Sequence, residues 1–312
     1  MKVASIDIGS NSVLLLIAES TDSGLVPIVE ASTITRLGQG VDRDRRLHQD
    51  AVTRTLHSLE NYAQLVKQHR ATQLDVVTTS AARDATGIDN FLDQAEQILG
   101  RRPRVIGGEQ EAQLTFLGAV CGLALGQSVA VFDIGGGSTE IAYGFVQPNG
   151  QPVLQAVSSL DIGCVRITER YIHQDPPSPV EIEAAHRAVD KAFETLDKPL
   201  DGVVWVGIGG TITSLVAANG ALVPYDATAV HGASITAADV TKLAERLRAL
   251  PVAQRCEVPG LEPKRADVIV GGACIVERLL AWAGQESVLV SSRGVQWGLA
   301  LEMCANHAHS QL

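Results

Sequence analysis

One short pattern occurs twice in the sequence, once in each half of the chain. Residues 7–12 read Asp-Ile-Gly-Ser-Asn-Ser, and residues 133–139 read Asp-Ile-Gly-Gly-Gly-Ser-Thr. Each copy lies between two apolar segments typical of buried strands, and glycine permits the tight turn between them. The recurrence predicts a duplicated α/β unit. We therefore expect one domain over residues 1–125 and a second over residues 126–294.

Composition agrees with an α/β fold of two ordinary domains. The chain has 312 residues, 46% of them hydrophobic and 19% charged, so it can bury a sizeable core. Apolar periodicity then predicts the individual elements. Strands are expected at residues 3–8, 13–18, 24–33, 74–78, 105–106, 129–132, 141–145, 203–208 and 287–290. Helices are expected at residues 50–69, 91–98, 109–121, 182–196, 236–250, 266–283 and 295–304, with further helices opened by Ser80 as N-cap and by Gly209.

The charge balance restricts the partners. The formal net charge is −10, whereas nucleic-acid binding usually requires a basic face, so no nucleic acid is expected. Any polyanion must be held by local backbone amides, a few arginines or a metal ion. Asp7 interrupts the first apolar run, and no segment approaches a membrane span or a secretory signal. These features predict a cytoplasmic protein with no membrane partner.

The two repeated turns predict phosphate binding. Successive amides in a glycine turn converge on an anion, and neighbouring hydroxyl and amide side chains add donors. A leading aspartate suits Mg²⁺, which prefers oxygen ligands. Ordinary β-turns use the same residues, but two copies with the same head favour phosphate. The candidates for metal binding are Asp7 and Asp133, and those for phosphate binding are Gly9, Ser10, Asn11, Ser12, Gly135, Gly136, Gly137, Ser138 and Thr139.

A third anion-binding element is predicted where a buried strand runs into Gly209, Gly210 and Thr211. These residues open a helix, so free amides and the positive end of the helix dipole meet there. Close packing of strand and helix is the alternative explanation. Arg83 follows a predicted strand end, and its guanidinium suits a bidentate phosphate contact, with a surface salt bridge as the alternative.

Acidic side chains are needed to position or deprotonate the attacking water. Glu109 and Glu111 begin a predicted helix, where acidic residues are also common for dipole reasons alone. Glu140 directly follows the second turn and is better placed on local sequence. The residues by themselves leave the choice among these acids open.

Together these segments resemble the exopolyphosphatase/guanosine pentaphosphate phosphohydrolase family, within the actin, sugar-kinase and Hsp70-like superfamily. The matching pieces run in the family's order over nearly the full chain. They are residues 7–12, 35–41 (Thr-Arg-Leu-Gly-Gln-Gly-Val), 79–85, 108–112, 133–140, 209–211 and 265–269 (Arg-Ala-Asp-Val-Ile).

The resemblance implies two ribonuclease-H-like (actin-like ATPase) domains with the active site in an interdomain cleft, and a closing helix near residues 295–312 that packs back on the first domain. It implies Glu111 as the catalytic glutamate and Glu140 as a second acidic residue. It also implies Asp133 as the metal-associated aspartate and Arg83 as an arginine of the site. The implied substrates are inorganic polyphosphate and guanosine pentaphosphate, with Mg²⁺, or another divalent cation or K⁺, as cofactor. A homodimer is the family's habit.

Two departures from the family pattern bear on substrate range. Ser292 stands where an aspartate is usual, and Gln296 replaces the arginine of a Gly-Leu-Arg-Glu-Gly-like stretch. Two rival functions share the same loops: a small-molecule kinase that uses ATP, and an alarmone or polyphosphate sensor with weak turnover. Phosphate release without an acceptor separates a hydrolase from both.

Overall fold

The protein was analysed as a computed structural model, which describes residues 1–21, 24–123, 128–147, 152–197, 199 and 202–310. The chain divides into two compact units. Unit 1 comprises Met1–Gly118 and Gly294–Leu312, and unit 2 comprises Ala119–Arg293. The domain boundary expected at residue 125 lies outside the described residues.

The amino-terminal part of unit 1 alternates strands and helices in the manner that the apolar periodicity predicts. Its elements are β1 (Lys2–Ile8), β2 (Ser12–Thr21), β3 (Gly24–Ile34), α1 (Val41–Asp44), α2 (Gln49–Gln68), β4 (Gln73–Thr78), α3 (Ser80–Asp84), α4 (Asp89–Leu99), β5 (Arg104–Val105) and α5 (Gly108–Val120).

The sheet of unit 1 has the strand order β3-β2-β1-β4-β5. Strands β1, β2 and β3 form an antiparallel meander, whereas β1, β4 and β5 run parallel. The carboxyl ends of parallel strands meet at one edge of the sheet. The loops that follow β1, β4 and β5 therefore lie together at that edge, and these loops carry the predicted site residues of unit 1.

Unit 2 repeats the same succession of elements with additional helices. They are β6 (Ser128–Ile134), β7 (Thr139–Val146), β8 (Pro152–Leu160), α6 (Cys164–Tyr171), α7 (Pro179–Phe193), β9 (Val204–Ile208), α8 (Gly209–Asn219), α9 (Ala227–Val230), β10 (Ser234–Thr236), α10 (Ala237–Arg248), α11 (Val252–Arg255), a 3₁₀ turn (Pro263–Arg265), α12 (Ile269–Ala283) and β11 (Ser287–Val290).

The sheet of unit 2 has the order β10-β11-β9-β6-β7-β8. Strands β6, β7 and β8 form the antiparallel meander, and β9 lies parallel to β6, with β11 parallel to β9. Apart from the added edge strand β10, this is the arrangement of the first sheet. The duplication and the ribonuclease-H-like α/β class are thereby confirmed for both units.

The last helix, α13 (Val295–Ser310), belongs to unit 1. Val295 and Leu299 join the buried apolar cluster formed with Val77 and other residues of β4 to α5. The hydroxyl of Ser5 on β1 donates to the carbonyl of Gln296 at 2.6 Å. The carboxyl-terminal helix is thus held on the sheet that opens the chain.

Some local predictions differ from the structure. Ser80 is the first residue of α3, and Thr79 is its N-cap without a side-chain capping bond, so the predicted Ser80 cap is wrong. The Ser80 hydroxyl instead contacts the Ser10 hydroxyl, in the turn between β1 and β2. Strand β8 and helix α6 have no counterpart among the predicted elements, because β8 is largely half-buried and lacks a clear apolar alternation. No helix in the described part of the chain combines the length and the apolar run needed to cross a bilayer.

Candidate active site

The first repeated turn links β1 to β2 and is closed by a hydrogen bond from the Gly9 amide to the Ser12 carbonyl, 3.0 Å long. Within the described residues, the amides of Ser10 and Asn11 donate to no backbone carbonyl. The Asn11 carbonyl accepts from two amides of the segment that follows β3. This segment fixes the turn from behind, while the two central amides remain available to an anion.

The side chain of Asn11 is buried without a hydrogen-bond partner. Asn11 is 6% exposed, and both its Nδ2 and its Oδ1 lack a partner among the described residues. An unsatisfied buried polar group costs about 1–3 kcal/mol. A bound ligand that accepts from Nδ2 would offset this cost, so the turn is built for a polar occupant.

Sheet register brings the turn next to α3. Ile8 at the end of β1 is paired with Thr78 at the end of β4. The chain then turns into α3, and the hydroxyls of Ser10 and Ser80 lie 2.7 Å apart in a buried hydrogen bond. The first turn and the start of α3 therefore form one polar surface.

Glu111 and Arg83 form a buried ion pair beside this surface. Arg83 Nη1 donates to Glu111 Oε2 at 2.6 Å and to the Ile106 carbonyl at 2.9 Å. The Glu111 side chain is only 9% exposed and that of Arg83 is 23% exposed. Burial raises the pKa of Glu111, and the charge of Arg83 and hydrogen bonds from Arg83 and Thr79 oppose that increase. A carboxylate with a raised pKa suits a general base.

The two candidate glutamates of α5 differ sharply. Both lie in the first turn of the helix. Glu109 is exposed, whereas Glu111 is buried and bonded to Arg83. Of these two glutamates Glu111 is thus the one held in a largely buried ion pair, and the contact of Arg83 differs from the surface salt bridge that was its alternative.

The second repeated turn, between β6 and β7, has the same geometry as the first. The Gly135 amide donates to the Ser138 carbonyl at 3.0 Å, and within the described chain the amides of Gly136 and Gly137 donate to no backbone carbonyl. The segment after β8 supports this turn from behind. A Cβ on Gly163 would lie 2.4 Å from the Gly136 carbonyl carbon, so only glycine permits this approach.

Helix α8 begins directly beside Asp133. Gly209 has φ +84°, and a Cβ there would lie 2.1 Å from Asp133 Oδ1. The Thr211 hydroxyl donates to the Ile134 carbonyl at 3.1 Å. The positive end of an eleven-residue helix therefore faces the Asp133 carboxylate and stabilises its negative charge.

Arg265 lies against the same helix terminus. A Cβ on Gly210 would come within 2.0 Å of Arg265 Nη1, so the missing side chain makes room for the guanidinium. Burial lowers the pKa of Arg265. The guanidinium of Arg265 thus adds to the positive field that the helix dipole creates at the start of α8.

Asp133 and Glu140 are direct cross-strand neighbours on β6 and β7. Opposed residues project to the same face, and like charges in that arrangement are destabilising. Glu140 is 1% exposed and accepts from the Ser159 hydroxyl at 2.9 Å. A divalent cation would offset the repulsion, and the carboxylate oxygens suit Mg²⁺. In unit 1 the residue opposite Asp7 is Leu14, so the position that corresponds to Glu140 carries no carboxylate there.

Comparison with known proteins identifies the family. The model of the Ppx/GppA phosphatase family matches residues 16–307. The chain belongs to this family.

Relatives of the family align over nearly the full chain. Exopolyphosphatase 2 of Mycobacterium tuberculosis is 39% identical over 320 residues, covering 97% of this chain and 98% of that protein. The crystal structure of an exopolyphosphatase-like protein has 35% identity and a TM-score of 0.90, with 97% of each chain covered. A Ppx/GppA family member from Aquifex aeolicus has 34% identity and a TM-score of 0.83, with 98% of each chain covered.

The site residues predicted from sequence fall into two groups, one in each unit of this Ppx/GppA family member. In unit 1 the structure brings together Gly9, Ser10, Asn11 and Ser12 with Arg83 and Glu111. In unit 2 it brings together Asp133, the turn residues Gly135, Gly136, Gly137, Ser138 and Thr139, and Glu140, with Gly209, Gly210 and Thr211. The expectation that the active site lies in an interdomain cleft stays a prediction.

Sequence reasoning missed three contributors to these groups. Ser80 was expected as a helix cap, and Arg265 appeared only within a matching segment. Gly163 was not recognised at all. Each acts through a contact between segments distant in sequence; residues 79–85 and 265–269 were recognised as matching stretches, but the contacts of Ser80 and Arg265 were not predicted.

Of the two departures from the family pattern, Gln296 lies in the first turn of α13, and Ser292 precedes that helix. Gln296 is 7% exposed, and its side-chain Oε1 has no hydrogen-bond partner among the described residues. The next side chain, Trp297, is fully buried and donates from Nε1 to Glu30 Oε2 at 3.0 Å. Gln296 and Trp297, in the stretch where the resemblance implies an arginine, are therefore part of the buried interior of unit 1.

Proposed function

We propose that this protein releases the terminal phosphate of inorganic polyphosphate by attack of water. The observation that carries the proposal is the continuous polar surface in unit 1. The first turn, with its available amides, contacts α3 through the hydroxyl pair of Ser10 and Ser80. The neighbouring Thr79 donates to Glu111, which is paired with Arg83. An anion-binding turn and a general base thus adjoin each other.

In the proposed reaction the chain's residues bind, orient and move a proton. The amides of Ser10 and Asn11, with the Asn11 side chain, bind phosphate oxygens. Arg83 offsets negative charge near the terminal group. Glu111 accepts a proton from water, whose oxygen bonds to the terminal phosphorus as the bond to the bridging oxygen breaks. The products are orthophosphate and a chain shorter by one phosphate, and the bridging oxygen keeps the electron pair.

We further propose Mg²⁺ as the cofactor, held by Asp133 with Glu140 as its neighbour. When bound, Mg²⁺ neutralises charge on the phosphate oxygens and on the leaving group. The cross-strand carboxylates and the start of α8 support this assignment. The turn amides of Gly136 and Gly137 and the guanidinium of Arg265 would bind further phosphates of the chain.

The test compares Glu111→Gln with Glu109→Gln, a control two residues away on the same helix. Removing a general base costs on the order of 10²–10⁴ in rate. We expect that loss in phosphate release from polyphosphate for Glu111→Gln, and near-unaltered release for the exposed control. Equal rates for Glu111→Gln and the unaltered protein would rule out the assignment.

Substrate choice is tested on tripolyphosphate, long polyphosphate and guanosine pentaphosphate in parallel. The name of the Mycobacterium tuberculosis relative favours polyphosphate as the preferred substrate. Faster phosphate release from guanosine pentaphosphate than from polyphosphate would identify the alarmone as the preferred substrate. Tight binding with no release from any of the three would identify a sensor, and transfer only in the presence of ATP and an acceptor would identify a kinase.

A further inference from the structure

A second cluster of reactive side chains lies on the helices of unit 2 and takes no part in the proposed reaction. His186 is on α7, and Cys274 and Glu277 are on α12. Their ligand-type atoms, one per residue, all lie within 4.8 Å of one another. His186 Nε2 is 3.2 Å from Glu277 Oε2.

Helix geometry explains why these groups converge. Residues three apart on a helix share a face, so Cys274 and Glu277 both point toward the neighbouring helices. Helix α12 packs against α7 on one side and α10 on another. From α10, Arg248 Nη2 donates to Glu277 Oε1 at 2.7 Å. One carboxylate oxygen is thereby fixed by the arginine, and the other points at the histidine.

Imidazole, thiol and carboxylate together form a donor set that suits zinc. Bond lengths of about 2.0–2.3 Å place ligand atoms of a tetrahedral site about 3.3–3.8 Å apart. The observed separations need to contract by about 1 Å or less to reach that range. The Arg248 contact also resembles the outer hydrogen bonds that orient metal-bound carboxylates.

We propose that His186, Cys274 and Glu277 form a Zn²⁺ site that fastens α7 to α12. A fourth position would be filled by water. An open pocket of about 270 Å³ has Glu277 in its wall. On binding, the Cys274 thiol loses its proton to solvent, and the thiolate and the neutral imidazole coordinate the ion.

The three side chains of the cluster are largely buried. Cys274 is 1% exposed, and the side chains of Glu277 and His186 are 11% and 23% exposed. Burial raises the pKa of the Cys274 thiol to about 12, so in the metal-free protein this sulfur is protonated. Glu277 is then paired with Arg248 and with His186, and the neutral thiol takes no part in that ion pairing.

The test is a titration of the full chain with Co²⁺, a spectroscopic substitute for Zn²⁺, in excess Mg²⁺ that saturates oxygen-rich sites. We expect one equivalent to produce a thiolate-to-cobalt charge-transfer band, which Zn²⁺ abolishes by displacement. The band should be absent in Cys274→Ser and strongly reduced in His186→Gln. It should persist in Cys256→Ser, a partly exposed cysteine outside the cluster.

Two results would overturn the proposal. One is the absence of the band in the unaltered chain at several equivalents of Co²⁺, and the other is its survival in Cys274→Ser. Either result identifies the cluster as an ion-paired helix contact only. His186 is partly exposed, so its variant supplies a folded test if Cys274→Ser is unstable. Phosphate release, measured on the same samples with Mg²⁺, should be unchanged in both variants, which separates this proposal from the assignment of Glu111.

Discussion

We predict that loss of the Arg83 charge beside Glu111 changes both the stability and the catalysis of the protein. Arg83→Met removes the cation and leaves the Glu111 carboxyl buried, with 9% of its side chain exposed. Breaking a fully buried pair from one side costs about 3–5 kcal/mol. The Arg83 side chain is 23% exposed, so water screens the pair and the expected loss is smaller. We expect about 2–3 kcal/mol of unfolding free energy, or about 10 °C in Tm for a unit of this size.

The loss should depend on pH in a defined direction. Burial already raises the pKa of Glu111 above its ordinary value of 4.5, and removing Arg83 raises it further. A group with a raised folded-state pKa favours the folded state below its ordinary pKa and loses that contribution as pH rises through the folded value. The difference in Tm between variant and unaltered protein should therefore be full at alkaline pH and shrink as the pH falls toward the ordinary pKa of 4.5.

Catalysis should report the same shift. The proposed base must be deprotonated, so the acid limb of the pH profile of kcat/KM should move to higher pH in Arg83→Met. Glu111→Gln is the matched control, because it leaves a neutral amide beside Arg83 and removes the titrating group. In the Glu111→Gln background, the Tm loss caused by Arg83→Met should therefore not vary with pH. A Tm loss in Arg83→Met alone that does not change with pH, with an unmoved acid limb, would refute the reasoning.

Two further predictions concern unit 2. Gly209→Ala should reduce phosphate release at least about tenfold, because the added Cβ would lie 2.1 Å from Asp133 Oδ1. Gly284→Ala is its control: that glycine also has positive φ but nothing within 4 Å, so it should cost only about 1 kcal/mol of stability and leave the rate intact. Asp133→Asn should raise the Mg²⁺ concentration for half-maximal release at least about tenfold, whereas the exposed Glu183→Gln should not; equal Mg²⁺ dependence in both would remove Asp133 from the metal site.

Element prediction worked where the pattern was strong and local. Strands β1, β6 and β9 and helix α2 carry long apolar periods, and their expected positions agree with the structure to within one or two residues. Strand β8 was not predicted because it has mostly half-buried or exposed residues on both faces. Such a strand owes its position to pairing with β7, and pairing across sequence has no local signature.

The candidate site shows the same division. The turns at residues 7–12 and 133–139 were recognisable because glycine and its polar neighbours prescribe a local conformation. For the acids of α5, the family resemblance alone indicated Glu111 rather than Glu109, since both are acidic residues in the first turn of one helix. Burial and the contact with Arg83, 28 residues earlier, distinguish them.

The sequence by itself determined the duplication, the α/β class and the two glycine turns, because each follows from residue types within a few positions of one another. Tertiary structure alone decided which acid is buried, that Ser80 meets Ser10, and that Arg265 fills the space left by Gly210. It also placed the His186, Cys274 and Glu277 side chains together. These outcomes depend on strand register and helix packing, which join residues separated by tens of positions and leave no mark in the local pattern.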